Sequence, residues 1–579
     1  MQDRSSNGQA CEMSRRDLLG TAAALMGAAV TAAALEPPAA AAETNPTTRA
    51  DRGLDVKGAK LAPLPNFDPP VVQVEGGKLR GFRDGKITVF LGIPYAEAER
   101  FELPKHATPW NGIKSAQAWG PVCPIPKLTE PGVDEFVFPH RYWLENEHCQ
   151  VLNIWTQNLS TTAKKPVMVW LHGGGFTNGS SMESYAYDGK NLSEFGDVVV
   201  VSINHRLNII GTLDLSAYGP EYAQSRYTGT ADLVAALQWI HDNIANFGGD
   251  AGNVTLFGQS GGGSKAARMM HTPAAKGLFH KVICESGGGE VFADQDPAKN
   301  AKTAQMIAAA TLTNLNLTGD QIDKLKTIPY TDLIAAGDAA LRSVAEQTNT
   351  PRLMWNVYAD DQYITRAFCD WASGIPQISG SVFSEFRGNL VSGTDKNAWT
   401  QAEIEDHLTA AYGYKKDQVL AAFKQAFPQK KVQDVLYFAM PNTRALAAKR
   451  EAGNAPVYNY IFTYEYPVDH GITAFHCSEI AFVFHNLSEP HLRIATGDAP
   501  AGYALQEKAS QAWINFARTG NPAQPGLEWK PFAKADPQTM IFDTVSECRN
   551  LHYDKLTPLL GNQGGFPSPL GLTPGSRVP

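Results

Sequence analysis

The chain has 579 residues, a formal net charge of −8 and a 43% hydrophobic fraction, which places it among ordinary globular proteins and excludes a disordered polymer. Mild acidity without a basic cluster or an Arg-rich stripe argues against a phosphate-backbone partner, so no nucleic-acid binding is expected. Beyond the N-terminal segment no apolar run is long enough to span a bilayer, so no stable membrane insertion is expected either.

In chain order, Ser14-Arg15-Arg16-Asp17-Leu18-Leu19 forms a twin-arginine pattern, an alanine-rich apolar stretch runs from Leu18 to Leu35, and Ala40-Ala41-Ala42 offers a small-residue cleavage site. Residues 1–42 read as a twin-arginine-type signal peptide. The alternative, a membrane anchor, is disfavoured because alanine is too weakly apolar to hold a helix in lipid. Such a signal implies a bacterial protein exported already folded, periplasmic or secreted. The Pro- and Ala-rich residues 43–70 read as a flexible leader, 71–560 as the folded unit, and the Pro/Gly-rich residues 561–579 as a tail.

Val71 to Val74 and Gly81 to Phe90 read as antiparallel strands about a turn at Gly76-Gly77, the alternation ending at Gly92-Ile93-Pro94. Val151 to Trp155, Val167 to Leu171, Val198 to Ser202 and Val254 to Phe257 follow as strands, with a helical pattern over Ala231 to Ile240. Strands alternating with helices predict an α/β fold with a largely parallel sheet. Helical blocks at about 294–341 and 400–451 interrupt that rhythm and read as insertions over the active-site face, a separate helical domain being the alternative. Strand pattern returns at Pro456 to Phe462.

The chemistry concentrates at Gly258-Gln259-Ser260-Gly261-Gly262, which follows the apolar run ending at Phe257 and precedes helix-forming residues. Strand, sharp turn and helix with a serine at the apex is how a poor nucleophile is thrust toward a base on another loop. His172-Gly173-Gly174-Gly175-Phe176, directly after the strand pattern 166–171, supplies the second requirement. Acyl transfer passes through an oxyanion that needs preorganised N–H donors, assigned here to Gly174, Gly175 and Gly261.

In a Gly-x-Ser-x-Gly hydrolase the acid and then the histidine follow the serine. His476, pinned between the apolar loop 471–475 and the run from Ser478 to Phe484, is the preferred base, with His470 beside Asp469 as the runner-up. Ser478 reads as a cap for a short helix there. For the acid, Glu385 lies just past the strand-like run 375–383, and Asp360-Asp361, before the strand-like Tyr363-Ile364, competes with it. No metal or organic cofactor is implied, because the three side chains and the backbone donors supply both proton transfer and charge stabilisation.

Cys11 would leave with the signal. Cys123 and Cys149 flank a loop of a size that a disulfide closes, two unrelated thiols being the alternative. Cys284 reads as a buried strand thiol, and Cys369, Cys477 and Cys548 cannot be paired from sequence.

Together these segments resemble the type B carboxylesterase and cholinesterase family of α/β hydrolases over most of the chain. Phe90 to Ala96, Asn146 to Trp155 and Ala512 to Gly520 resemble further family signatures, beside the oxyanion and nucleophile motifs. The resemblance implies the α/β-hydrolase fold, a central mostly parallel sheet with helices on both faces and helical insertions over the active site. Gly380 to Glu385 matches the segment whose last residue is the family's triad acid, and His476 to Phe484 matches its histidine segment. It further implies a Cys123–Cys149 disulfide, support of the acid by Ser286, and a substrate pocket involving Phe176, Leu353 and Trp355.

Three departures are evident. Gln259 replaces the glutamate that cholinesterases carry beside the nucleophile, Cys477 replaces the glycine after the histidine, and Ser384 leaves one carboxylate at the acid position. The expected function is a serine carboxylic-ester hydrolase acting on a small-molecule ester through an acyl-enzyme. Amide, carbamate or thioester cleavage or acyl transfer on the same machinery is the near alternative, and a non-catalytic cholinesterase-like binding protein the distant one. Acyl and alcohol preference and oligomeric state are left open.

Overall fold

Runs of Val, Ile and Leu buried from end to end build the centre of the molecule. In the computed structural model, which describes residues 69–560 except 128–134, 136, 290–291, 393–394, 442–443 and 469, they form an 11-stranded sheet. The expected signal, the leader up to residue 68, the tail 561–579 and Asp469 lie outside the described residues. The strands are β1 (Phe82–Asp84), β2 (Ile87–Pro94), β3 (Val151–Thr156), β4 (Lys165–Leu171), β5 (Val199–Ile203), β6 (Gly249–Gln259), β7 (Lys281–Glu285), β8 (Gln377–Val382), β9 (Val457–Phe462), β10 (Gln538–Phe542) and β11 (Glu547–Asn550). Their spatial order is β11-β10-β9-β8-β7-β6-β4-β5-β3-β2-β1. Pairing is parallel from β5 through β10 and antiparallel at both margins.

Parallel strands require cover on both faces, and the period of two divides the side chains accordingly. Met168 and Trp170 of β4 enter one core with Val198 and Val200, while Val167, Val169 and Leu171 enter the other with Val199 and Val201. Helix α1 (Thr228–Asn243) covers the second core with Leu233, Leu237 and Ile240, and Gly248 at φ +80° turns the chain back into β6. Helix α2 (Gly261–Met269) adds Ala266 and Met269 to the same side.

Helices α3 (Pro297–Asn314) and α4 (Tyr330–Gln347) pack Leu312, Leu333 and Leu341 against Leu207, Ile209 and Ile210, just past β5. Helices α5 (Gln401–Tyr412) and α6 (Lys416–Ala426) bring Leu408, Val419 and Phe423 to Phe383, two residues before Glu385. Helix α7 (Arg444–Ala452) sets Leu446 against Val457, and α8 (Pro500–Thr519) covers the first core with Leu505, Trp513 and Phe516. No helix among the described residues is long and apolar enough to cross a membrane.

Several local expectations are corrected. The partner of Val71–Val74 is Gly77–Arg80, and the run from Gly81 splits into β1 and β2, the latter continuing through Gly92 to Pro94 by a register shift against β3. Tyr363-Ile364 is not a strand, because the Asp360 carboxylate draws the chain into a turn by accepting from the N–H groups of Gln362, Tyr363 and Ile364. Cys123 and Cys149 are not joined. Both are buried thiols, linked by a hydrogen bond, with the Leu207 N–H donating to Cys123 Sγ at 3.2 Å. None of the described cysteines forms a disulfide, and Cys284 is the buried strand thiol expected.

Candidate active site

Parallel register brings the expected residues to one rim. Phe257 lies opposite Trp170, Gln259 opposite Glu285, and Glu285 opposite Gly380, so the chain leaves β4, β6, β7 and β8 at one edge of the sheet, where such folds carry their ligands.

Ser260 occupies φ 56°, ψ −122°, between the last residue of β6 and the first of α2. Its own N–H donates to Glu285 O at 2.8 Å, and the turn leaves the side chain half-buried at the rim. A left-handed φ on a residue with a Cβ stores strain that the packing around it must hold. Gly261 packs so closely that a Cβ there would lie 2.3 Å from Gly175 O, which locks the helix start against the glycine loop. In that loop Gly174 adopts φ +76°, and its carbonyl accepts from Thr177 N and Asn178 N at 3.2 and 2.9 Å. Gly174 and Gly175 are exposed. The N–H groups of Gly174, Gly175 and Gly261 donate no hydrogen bond among the described residues, so their capacity to donate is unused. Phe176 is half-buried beneath the Arg268 guanidinium, 4.3 Å from its ring centre.

His476 Nδ1 lies 2.5 Å from Glu385 Oε2. The carboxylate is itself fixed, since Val382 N–H donates to its other oxygen at 3.1 Å and His476 N–H donates to the Glu385 carbonyl at 3.0 Å. Glu385 and His476 are therefore joined through both side chain and backbone, an arrangement that places the proton on Nδ1 and the lone pair on Nε2. Phe386 stacks on the imidazole at 4.0 Å between ring centres. Gln259 Nε2 sits 3.2 Å from His476 Nε2 and 3.5 Å from Nδ1. Such similar distances to the two ring nitrogens put the amide over the face of the ring rather than along the Nε2 lone pair. Cys477 Sγ donates to Gln259 Oε1 at 3.2 Å and so orients that amide with its NH₂ toward the ring.

Beneath the pair lie two carboxyl groups that the sequence reading did not include. Glu479 is buried, and burial first, then the neighbouring Glu385 charge, pushes its pKa up to about 7. Glu285 is fully buried and is raised by burial and by Glu479, while Trp513 Nε1–H donates to it at 2.8 Å. One oxygen of each is without a hydrogen-bond partner among the described residues. A glutamate directly after the apolar run Val282-Ile283-Cys284 was the visible signal. Ser286 is corrected: its hydroxyl donates to Glu479 at 3.4 Å and not to Glu385, because its left-handed backbone (φ 47°) aims it at the buried pair.

Other candidates lie elsewhere. His470 is largely exposed and faces Asp395 at 3.6 Å. Asp360 pairs with Arg226 at 3.0 Å and Asp361 with Arg366 at 2.7 Å. Leu353 and Trp355 line a cavity of about 430 Å³ together with Thr212, Ile307 and Tyr358, and neither Ser260 nor His476 is part of its wall. Ser478 does not cap the helix Ile480–Val483, and its buried hydroxyl has no hydrogen-bond partner among the described residues.

A half-exposed hydroxyl, an imidazole held by a carboxylate and three unengaged amides are the groups that acyl transfer requires. The chain matches the model of the carboxylesterase family over residues 68–555. It is 31% identical to the para-nitrobenzyl esterase of Bacillus subtilis, over 83% of this chain and 96% of that enzyme. It is 32% identical to the phenmedipham hydrolase of Pseudarthrobacter oxydans, over 82% and 94%. Among solved structures it is similar to a Clostridium hathewayi esterase described as able to hydrolyse aliphatic aromatic polyesters, with a TM-score of 0.76, 38% identity, and coverage of 86% of this chain and 99% of that one. Fold, sheet and relatives agree, and the chain belongs to the carboxylesterase family, with the α/β-hydrolase fold and the activity of a carboxylic-ester hydrolase.

Proposed function

We propose that Ser260 attacks the ester carbonyl while His476 Nε2 takes its proton, that Glu385 holds the imidazole and balances the imidazolium, and that the N–H groups of Gly174, Gly175 and Gly261 receive the oxyanion. His476 then protonates the departing alcohol, and water repeats the cycle on the acyl-enzyme. The observation that carries this reading is the 2.5 Å contact between His476 and Glu385 at the rim where Ser260 emerges. No hydrogen bond joins the Ser260 hydroxyl to His476 among the described residues, and that contact would form as substrate fills the site and excludes water.

An uncharged alcohol suits the site best, because Gln259 puts a neutral amide where a carboxylate would attract a cation. A panel of para-nitrobenzyl esters, phenmedipham and an aliphatic aromatic polyester ranks the ester and carbamate readings. Labelling by a phosphonate, mapped to Ser260, together with a burst of alcohol equal to the enzyme present, tests the covalent step. Unchanged turnover in Ser260→Ala would refute it. We further propose that residues 1–42 direct twin-arginine export, which replacement of Arg15 and Arg16 by lysine and cell fractionation would test.

A further inference from the structure

A buried cation stands behind the glycine loop. Lys265 is fully buried on α2, and its ammonium donates to the carbonyl of His172, the first residue of that loop, at 3.0 Å. It lies four residues beyond Gly261 on the same helix, hence one turn below an oxyanion donor, on the order of 6 Å along that face. Phe176, at the other end of the loop, has its ring centre 5.7 Å from Lys265 Nζ. A lysine whose only role was to fill space would be a poor choice here, since removing an ammonium from water is costly unless the charge is used.

We propose that Lys265, as the ammonium ion, is the positioning residue of the oxyanion loop and supplies a positive charge behind the three amides. As the Ser260 oxygen bonds to the carbonyl carbon, the π pair moves onto the carbonyl oxygen and the serine proton passes to His476. The new negative charge on oxygen then faces two layers: the N–H dipoles of Gly174, Gly175 and Gly261, and the ammonium one turn deeper. In a site with little water such a charge acts at longer range than in solution. This inference rests on the reading of Ser260 as the nucleophile.

Burial pushes the lysine down to about 7, the Glu183 carboxylate opposes that shift, and the Arg268 guanidinium adds to it. The other titratable neighbours are Cys123, His172 and His205, and burial holds both imidazoles well below their ordinary range. The cation is therefore present on the acid side of neutrality and lost as pH rises.

The test uses the whole enzyme and a trifluoromethyl ketone, which the serine converts into a stable hemiketal oxyanion. Lys265→Met should weaken the ketone at least tenfold at pH 6, with kcat falling in step and KM unchanged, and the difference should shrink to within twofold by pH 9. Lys265→Arg, which cannot lose its charge, should match the wild type at pH 6 and bind the ketone about tenfold better at pH 9. A Met effect that is the same at both pH values, or no effect, would overturn the proposal, since a purely structural hydrogen bond survives deprotonation. If Lys265→Met does not fold, the arginine variant decides, and identity with the wild type at every pH overturns the proposal. Wild-type enzyme that neither turns over esters nor takes a phosphonate on Ser260 would overturn the nucleophile reading and this one together. Labelled, active enzyme with pH-independent variants would overturn this one alone.

Discussion

Gln259 lays its amide over the imidazole of His476, with its orientation set by the Cys477 thiol on the far oxygen. Gln259→Glu would put a carboxylate in place of that amide. A carboxylate at this distance stabilises the cation, so the acid limb of kcat/KM should move up by about one pH unit or more, read directly from the pH–rate profile.

Removing the acid or the base separates orientation from chemistry. Ser260→Ala and His476→Ala should each lower kcat by roughly 10⁴-fold or more, and Glu385→Gln by a comparable order with KM little changed, because the imidazole loses its partner for Nδ1–H. Combining two of these changes should cost barely more than one, since the groups act as a unit. Steady-state kinetics on the single and double variants checks both statements.

The loop donors are sterically committed. A Cβ on Gly174 would lie 2.4 Å from Asn178 O at a φ of +76°, so Gly174→Ala must displace the loop. The expected loss is about 10²- to 10³-fold in kcat with substrate binding largely kept, while far-ultraviolet circular dichroism stays that of the wild type.

Glu285 and Glu479 govern stability rather than turnover. Both are held above the ordinary carboxyl range, Glu479 by burial and the Glu385 charge and Glu285 by burial and Glu479, so the folded state retains protons that the unfolded chain releases. The stability they contribute is full at low pH and is lost as pH rises from the ordinary carboxyl range through about 7. Glu479→Gln should therefore gain on the wild type with rising pH, by about 1–3 kcal/mol at pH 8, and show no such gain near pH 4. Thermal unfolding across that range is the measurement.

The scaffold and the candidate nucleophile were legible because their signals are local. A β-branched strand ending in Gly258-Gln259-Ser260 leaves the chain one way to turn, and the glycines at 173–175 follow directly from a second strand. Glu385 was less legible. A glutamate after a strand is common, and only the family pattern separated it from Asp360, whose carboxylate is spent on a turn and on Arg226. Leu353 and Trp355 could not be placed from spacing, because the path of the loop between Asn349 and Ile375 is set by tertiary packing, including the bond from Trp355 to Asp338. Lys265 and Glu479 resemble surface charges in sequence, and nothing in their spacing announces that the fold closes over them.

Ser260, Ser286, Glu385 and Cys477 all take left-handed backbone angles at the same rim. The kinks at Ser260 and Glu385 aim side chains that the proposed mechanism uses, the one at Ser286 turns its hydroxyl to Glu479, and the one at Cys477, φ 77°, steers the chain out of the histidine loop while its thiol reaches Gln259. A residue without a Cβ would relax there, so Cys477→Gly offers a route to a hardier catalyst. It would retain the reactive apparatus while releasing the Gln259 amide to rotate, and slower heat inactivation would then come with a looser hold on the imidazole.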